Sequence, residues 1–388
     1  MTTAPARGTP AAGQALQTAP ASHSRDRRGS PIPTVDMIAT RVIELRKRRG
    51  LMVALIVANI GIPALFLLIR LLLHAFAPRT NPPAGNNVIF AVLAAGLMYT
   101  FGFIVAATLG CTAGSRDLTE GMFRHLVVTG RSRLALYLAR IPAGLAIVVP
   151  LVAIGYTIVC AVSVFAAPTF IDDSNVNIPP GLSRAGFENW AAGRAEPVIC
   201  SLPYSGHVPG SVACDGPPSW SKSAVTPAQP ASPELEALAV RIASQDYSGY
   251  TSILLRPPTS LMIKTGLWLE LDAAVGLILG LGLASLMGQR LIPVILMIVL
   301  QLILTPILAH AAIPHLQGLQ RSFVGLAMAH LEPSGLPIVV GVPGVSGGVG
   351  GPGSALLPES ATQAIWVIIA WLAGWTILGA WRMMTRDA

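Results

Sequence analysis

Charge is scarce in this sequence. Only 11% of its 388 residues are Asp, Glu, Lys or Arg, less than half the ~25% of an ordinary soluble domain. So little charge does not make a water-facing surface for a chain of this length. Cysteine is sparse too, and four residues are too few for a disulfide scaffold. No G-x-x-x-x-G-K-[ST] stretch is present to cradle phosphates, so the chain has no ATPase motif of its own and no nucleotide or other cofactor is expected on it. No H-E-x-x-H occurs, and no Cys/His spacing suits zinc. His310, His315 and His330 read as solvated or helix-end residues. The net charge of +8 raises nucleic acid as a partner, but no basic groove interleaved with aromatics exists to bind it.

Apolar residues are abundant instead. They form 53% of the chain, and the mean hydropathy of +0.63 makes lipid the main solvent. Six apolar segments approach the ~20 residues that cross ~30 Å of hydrocarbon. They run Leu51 to Phe76, Val88 to Gly110, Ile141 to Ala167, Leu267 to Met287, Leu291 to Ile313 and Ala364 to Trp381. The first is too long for the h-region of a signal peptide, despite the cleavage-like Ala75-Phe76-Ala77, and is expected to stay as a span. Ahead of it, residues 1–33 are rich in Ala, Pro, Ser, Thr and Gly and read as a disordered tail. Over 34–50, Val35, Ile38, Val42 and Leu45 recur at helical spacing before the basic run Arg46 to Arg49. That pattern predicts an interfacial amphipathic helix, with a plain basic flank as the alternative.

Arginine and lysine then orient the chain. Arg41 to Arg49, Arg116, Arg124, Arg131, Arg133, Arg140, Arg290, Arg382 and Arg386 collect on one side, against Arg79 and Arg321 in the short connections of the other. Both termini are therefore expected in the cytosol. The layout is an all-α integral membrane protein with spans one to three over 51–167, four and five over 261–314, and the sixth over 361–388. Two insertions fall outside the cell membrane. The first, 168–260, carries Cys200 and Cys214 on the oxidising side, where a loop-closing disulfide is expected, two free thiols being the alternative. It also carries a helix around "PELEALAVRIASQ". The second, 315–360, begins with a surface helix presenting Leu316, Leu319, Phe323 and Leu326, followed by a Gly-rich loop.

The densest charge lies in "SRDLTEGMFRHLVVTGRSRLALYLAR", residues 115 to 140, between the second and third spans. Asp117 and Glu120 have capping-box spacing. Leu118, Met122, Phe123, Leu126 and Val127 share one helical face, Glu120 and Arg124 stand four apart, and Gly130 supplies a stop. An amphipathic helix over 115–130 can dock in a protein groove or lie on lipid headgroups.

This run, extended through "IPAGL", resembles the segment joining the second and third spans of ATP-binding-cassette permeases of the ABC-2 type. The matching positions are Glu120, Gly121, Phe123, Leu126, Thr129, Ser132 and Arg133. The six spans, the leading surface helix and the elements between spans five and six are similar as well; an insertion of about ninety residues after the third span is larger than that family usually carries. The resemblance implies a coupling helix seated on a separate ATPase, through Asp117, Leu118, Glu120, Gly121, Met122, Phe123, Arg124, Leu126, Thr129, Arg131, Ser132 and Arg133. It implies two ATPase copies holding ATP and Mg, a second copy of this permease or a homologous one, and an inner-membrane location. "VSGGVGG", residues 345 to 351, superficially matches an ABC signature, but without a P-loop it reads as linker. The rival readings are a membrane enzyme and a membrane-anchored sensor with an extracytoplasmic ligand-binding domain.

Ionisable residues inside spans are functional candidates. Glu270 and Asp272, placed at the outer end of the fourth span, point to opposite sides of the helix; one could line a substrate path or meet Arg70, while headgroup contact at a helix N-terminus is the plainer role. Gly276, Gly280, Ala284 and Gly288 form a small-residue ridge for close helix packing, within one subunit or across a dimer.

Overall fold

The computed structural model describes residues 32–77, 84–119, 132–167, 171–173, 176–179, 182–195, 198–199, 232–249, 256–310, 317–334, 336 and 359–385. Six helices in it are long and apolar enough to cross a membrane: Arg49–Phe76, Asn87–Ser115, Arg133–Phe165, Thr259–Met287, Leu291–Ala309 and Ala361–Thr385. All six expected spans are present, and among their starts those of the third and fourth move furthest. The fourth helix begins at Thr259 behind Pro258, eight residues before Leu267, because "TSLMIKTG" has no proline and joins the first turns. Among the described residues one departure from the all-α expectation occurs, an antiparallel hairpin pairing Ile171–Asp173 with Val176–Ile178.

The fourth span is the axis. In its most apolar stretch 72% of the residues are buried, against 22% in the first and sixth spans. Helices in lipid gain little from apolar transfer, so close approach of backbones decides which ones pair. The Gly276/Gly280/Ala284 ridge does this within the chain, against the second span. A Cβ on Gly276 would lie 2.6 Å from the Phe103 carbonyl, one on Gly280 would collide with that of Ala107, and one on Gly110 with that of Leu277. Gly288 ends the helix instead, at φ 71°, a left-handed conformation that glycine adopts without Cβ strain. Gly282 and Gly379 bring the sixth span against another side of the same helix.

Before the first span, Val35–Arg46 is helical as predicted, with Asp36 in its first turn and Arg46 in its last. Its buried residues are Met37 and Leu45, whereas Val35 is 79% exposed. Met37 and Ile38 pack on Ala135, Leu136 and Ala139 at the start of the third span, so the helix rests partly on protein.

The first insertion has a core of its own, with Phe187 and Trp190 stacked at 5.7 Å among Val198, Ile199, Ala239 and Ile242. The expected helix there runs Pro233–Gly249. Ser232 precedes it, its Oγ accepting from Leu235 N, and proline occupies the first turn, where a missing N–H is harmless. Cys200 and Cys214 lie outside the described residues.

The second insertion departs from a single surface helix. Its chain breaks at Ser322–Phe323, with Phe323 extended, into Gln317–Arg321 and Val324–His330. Every residue of the latter from Val324 to Ala329 is buried, while Leu319 on the former is exposed. "VGLAMA" is small and apolar throughout, and a helix apolar on all sides is a buried one.

Candidate functional site

Two regions of the bundle concentrate polar side chains. The first lies at the end where the second span finishes and the third begins. The second span's helix continues to Thr119, so Asp117 and Leu118 belong to its last turns, and Asp117 does not cap a new helix as its spacing suggested. Glu120, Gly121, Met122, Phe123, Arg124, Leu126, Thr129 and Arg131 lie outside the described residues. The chain re-enters at Ser132, whose Oγ accepts from Ala135 N at 3.1 Å, capping Arg133–Leu138. Arg133 then donates to the Met384 carbonyl at the end of the sixth span, 3.0 Å away. Arg140, only 2% exposed, donates to the Gly114 carbonyl of the second span at 3.1 Å, and Ser285 of the fourth span donates to the same oxygen. Arg133 and Arg140 thus tie the start of the third span to spans six and two, and Ser285 ties the fourth span to the second at the same carbonyl.

The second region lies within the bundle. Asp272 stands 13 residues beyond Thr259, about 20 Å along the helix at 1.5 Å per residue. This corrects its expected place among headgroups: it is near mid-helix and 1% exposed. Glu270 is half-buried, and neither carboxylate forms an ion pair with Arg70 among the described residues. Asp272 and Glu332 both act electrostatically on the Tyr99 phenol, beside which the Gln301 side chain lies. Tyr99 stacks on Trp268 at 4.7 Å and 6°, and such a pair adds about 0.5–1.5 kcal/mol beyond area burial. The polar ends of both rings hold the buried hairpin helix: Tyr99 Oη donates to Gly325 O at 3.0 Å and Trp268 Nε1 to Met328 O at 2.9 Å. Gly325 permits this approach, since a Cβ there would be 2.5 Å from Thr305 Oγ1 and 3.3 Å from Gln301 Oε1.

Local backbone geometry brings these residues in. Val92–Met98 and Val299–Leu304 are π-helical; Tyr99 follows the first and Gln301 sits in the second. A π turn rotates the residues after it relative to a regular helix and recurs at functional sites. Past the hairpin helix, Glu332 is half-buried with its Oε1 out of solvent, and loss of solvent pushes its carboxyl up to about 8. His330 meets Glu359 at 3.6 Å. Burial raises the Glu359 carboxyl, and His330 and then Arg321 partly offset this.

Sequence reasoning identified Asp272 but missed Tyr99, Trp268, Gln301 and Glu332. Gln301 was the recoverable signal, the lone amide in the run "LIPVILMIVLQLILTPILA". No family model matches the chain, and comparison with known proteins and with solved structures gave no match.

Proposed function

We propose that the chain is the membrane-spanning permease subunit of an ATP-binding-cassette exporter of the ABC-2 type. It works as a dimer with itself or a homologous permease and is driven by two copies of a separate ATPase. In this reading both termini and the 120–131 segment face the cytosol, the two insertions face outward, and the location is the cytoplasmic membrane. ATP and Mg stay on the ATPase, and the chain itself is a transporter component rather than an enzyme.

The observation that supports it most is the set of ties at Ser132, Arg133 and Arg140. A coupling element transmits force only if its end is fixed to the spans it moves, and Arg133 and Arg140 reach the sixth and second spans directly. Displacement of the segment before Ser132 would then be shared by the packed spans, as in a rigid-body switch between two arrangements. Glu120, Gly121, Phe123, Leu126 and Thr129 would supply the face gripped by the ATPase.

Co-expression with an ATP-binding-cassette protein tests this. The chain is expected to co-purify with the ATPase. Replacing both Glu120 and Phe123 should leave membrane insertion intact while ATP hydrolysis no longer drives transport. Full transport by the inserted double variant would reject the coupling role. One observation favours a second reading, a membrane-anchored sensor or enzyme with an extracytoplasmic ligand site: the first insertion has a separate core around Phe187 and Trp190. If that reading held, deleting 182–249 would abolish function while ATPase association was absent from the start.

A further inference from the structure

Buried acceptors outnumber buried donors where the fourth span meets the hairpin helix. Asp272 Oδ1, Gln301 Oε1 and Glu332 Oε1 are all buried without a hydrogen-bond donor. The nearby donors are committed elsewhere, the Tyr99 hydroxyl to Gly325 O and the Trp268 indole to Met328 O. Among the described residues no basic side chain pairs with Asp272. Its neighbours along the helix are apolar and buried: Leu269 is 2% exposed, Ala273 1% and Val275 0%. An ionised carboxylate is not tolerated in such a place unless something neutralises it. Isolated orphan atoms occur in many proteins, but here three orphan acceptors act about one tyrosine, with Gln301 carried by one π-helical stretch and Tyr99 placed by another.

We infer that Asp272, Gln301 and Glu332 form a binding site for a small monovalent cation, a proton or a sodium ion, closed by the Val324–His330 helix. A proton placed on Asp272 turns one acceptor into a donor for a neighbouring orphan oxygen; a sodium ion would instead be held by the carboxylate and the Gln301 amide oxygen. Either ion joins the fourth span, the fifth span and the hairpin helix. Its release would leave an uncompensated charge at that seam and favour movement of the hairpin helix away from Tyr99 and Trp268. The ionisable groups facing the seam are Tyr99 from the second span and Glu332 after the hairpin helix. His330 lies on the hairpin helix and Lys264 and Glu270 on the fourth span; the third span carries Arg133, Tyr137, Arg140, Tyr156 and Cys160, the fifth none between Leu291 and Ala309, and the sixth only Arg382 near its far end.

The inference rests on the chain spanning a membrane and not on the exporter reading, and its test uses the purified full chain in lipid nanodiscs without any ATPase. Dicyclohexylcarbodiimide modifies protonated carboxyls in apolar surroundings, and mass spectrometry maps the modified residue. Labelling of Asp272 is expected. Its loss on adding sodium chloride in place of choline chloride, at constant ionic strength and pH, assigns the site to sodium. Its loss only as pH rises, with no sodium effect, assigns it to protons. A second measurement compares the unfolding temperature of the unsubstituted chain with that of Asp272→Asn. The matching sodium or pH dependence should be present in the first and reduced in the second to what the Glu332 titration alone gives; should the variant not fold, the labelling result decides. Absence of labelling under every condition, or labelling indifferent to both sodium and pH, overturns the site.

Discussion

At one end of the bundle buried arginine finds backbone carbonyls; in the seam under the hairpin helix, buried acceptors find nothing. Arg140 and Ser285 converge on Gly114 O, and Arg133 reaches Met384 O, so spans two, three, four and six are joined by donors that have acceptors. Around Tyr99 the reverse holds, and Asp272, Gln301 and Glu332 each keep an unmet oxygen. Satisfied buried polar groups fix a structure, whereas unmet ones store a penalty that a change of charge or of packing can release. The first region is therefore suited to carrying force and the second to changing state.

The largest effect is expected at the seam shared by both regions. Gly280→Val would drive a side chain into the Ala107 carbonyl; overpacking of this kind costs about 1–3 kcal/mol or more, and a sharp loss of monodisperse protein on size exclusion should follow. Arg140→Met should come next. It removes a buried charge-assisted bond of about 1.5–3 kcal/mol and should lower the unfolding temperature at every pH, without rescue by Arg140→Lys, whose single ammonium lacks the guanidinium fork.

Glu332→Gln should act with the opposite sign. The carboxyl rises from 4.5 to about 8 on burial, so its protonated form belongs to the folded state. Stability is at its full value below the ordinary value of 4.5 and is lost as pH rises toward 8. Removing the titration should stabilise the protein on the order of 2 kcal/mol near pH 8, after discounting for partial solvation, with no change near pH 4; thermal unfolding across pH checks it. If Arg140→Met and Glu332→Gln shift stability in the same direction at pH 8, the contrast between the two regions fails. The smallest effect belongs to Ser132→Ala, which removes a helix cap for about 1 kcal/mol and should show as faster amide exchange in Arg133–Leu138.

Much of the fold was legible because hydropathy over twenty residues is a strong signal. Span count follows from it, while the leading helix and the glycine ridge followed from the spacing of their residues. The start of the fourth span was misplaced because Lys264 lowers local hydropathy while leaving helix propensity high, and with it Asp272 was set in headgroups instead of mid-helix. The hairpin helix was read as a surface element because "LQGLQRSFVGLAMAHL" shows amphipathic spacing only if Phe323 is helical; its extended backbone separates a half-exposed turn from a buried one. Tyr99 and Gln301 could not be joined from the sequence, since π turns leave no period in it and 202 positions separate the two. Trp268 was hidden likewise, because one aromatic on a long apolar helix looks like any other.

The glycine-lined contact between spans two and four has a mechanical corollary. Where carbonyl oxygens sit in the hollows left by missing side chains, as at Gly110, Gly276 and Gly280, sliding one helix past the other would lift bulky residues onto those oxygens. Such a pair behaves as a stator. Any change of shape in the bundle would then fall to the spans that bury less of their surface, the first and the sixth, and to the short helix beside Tyr99.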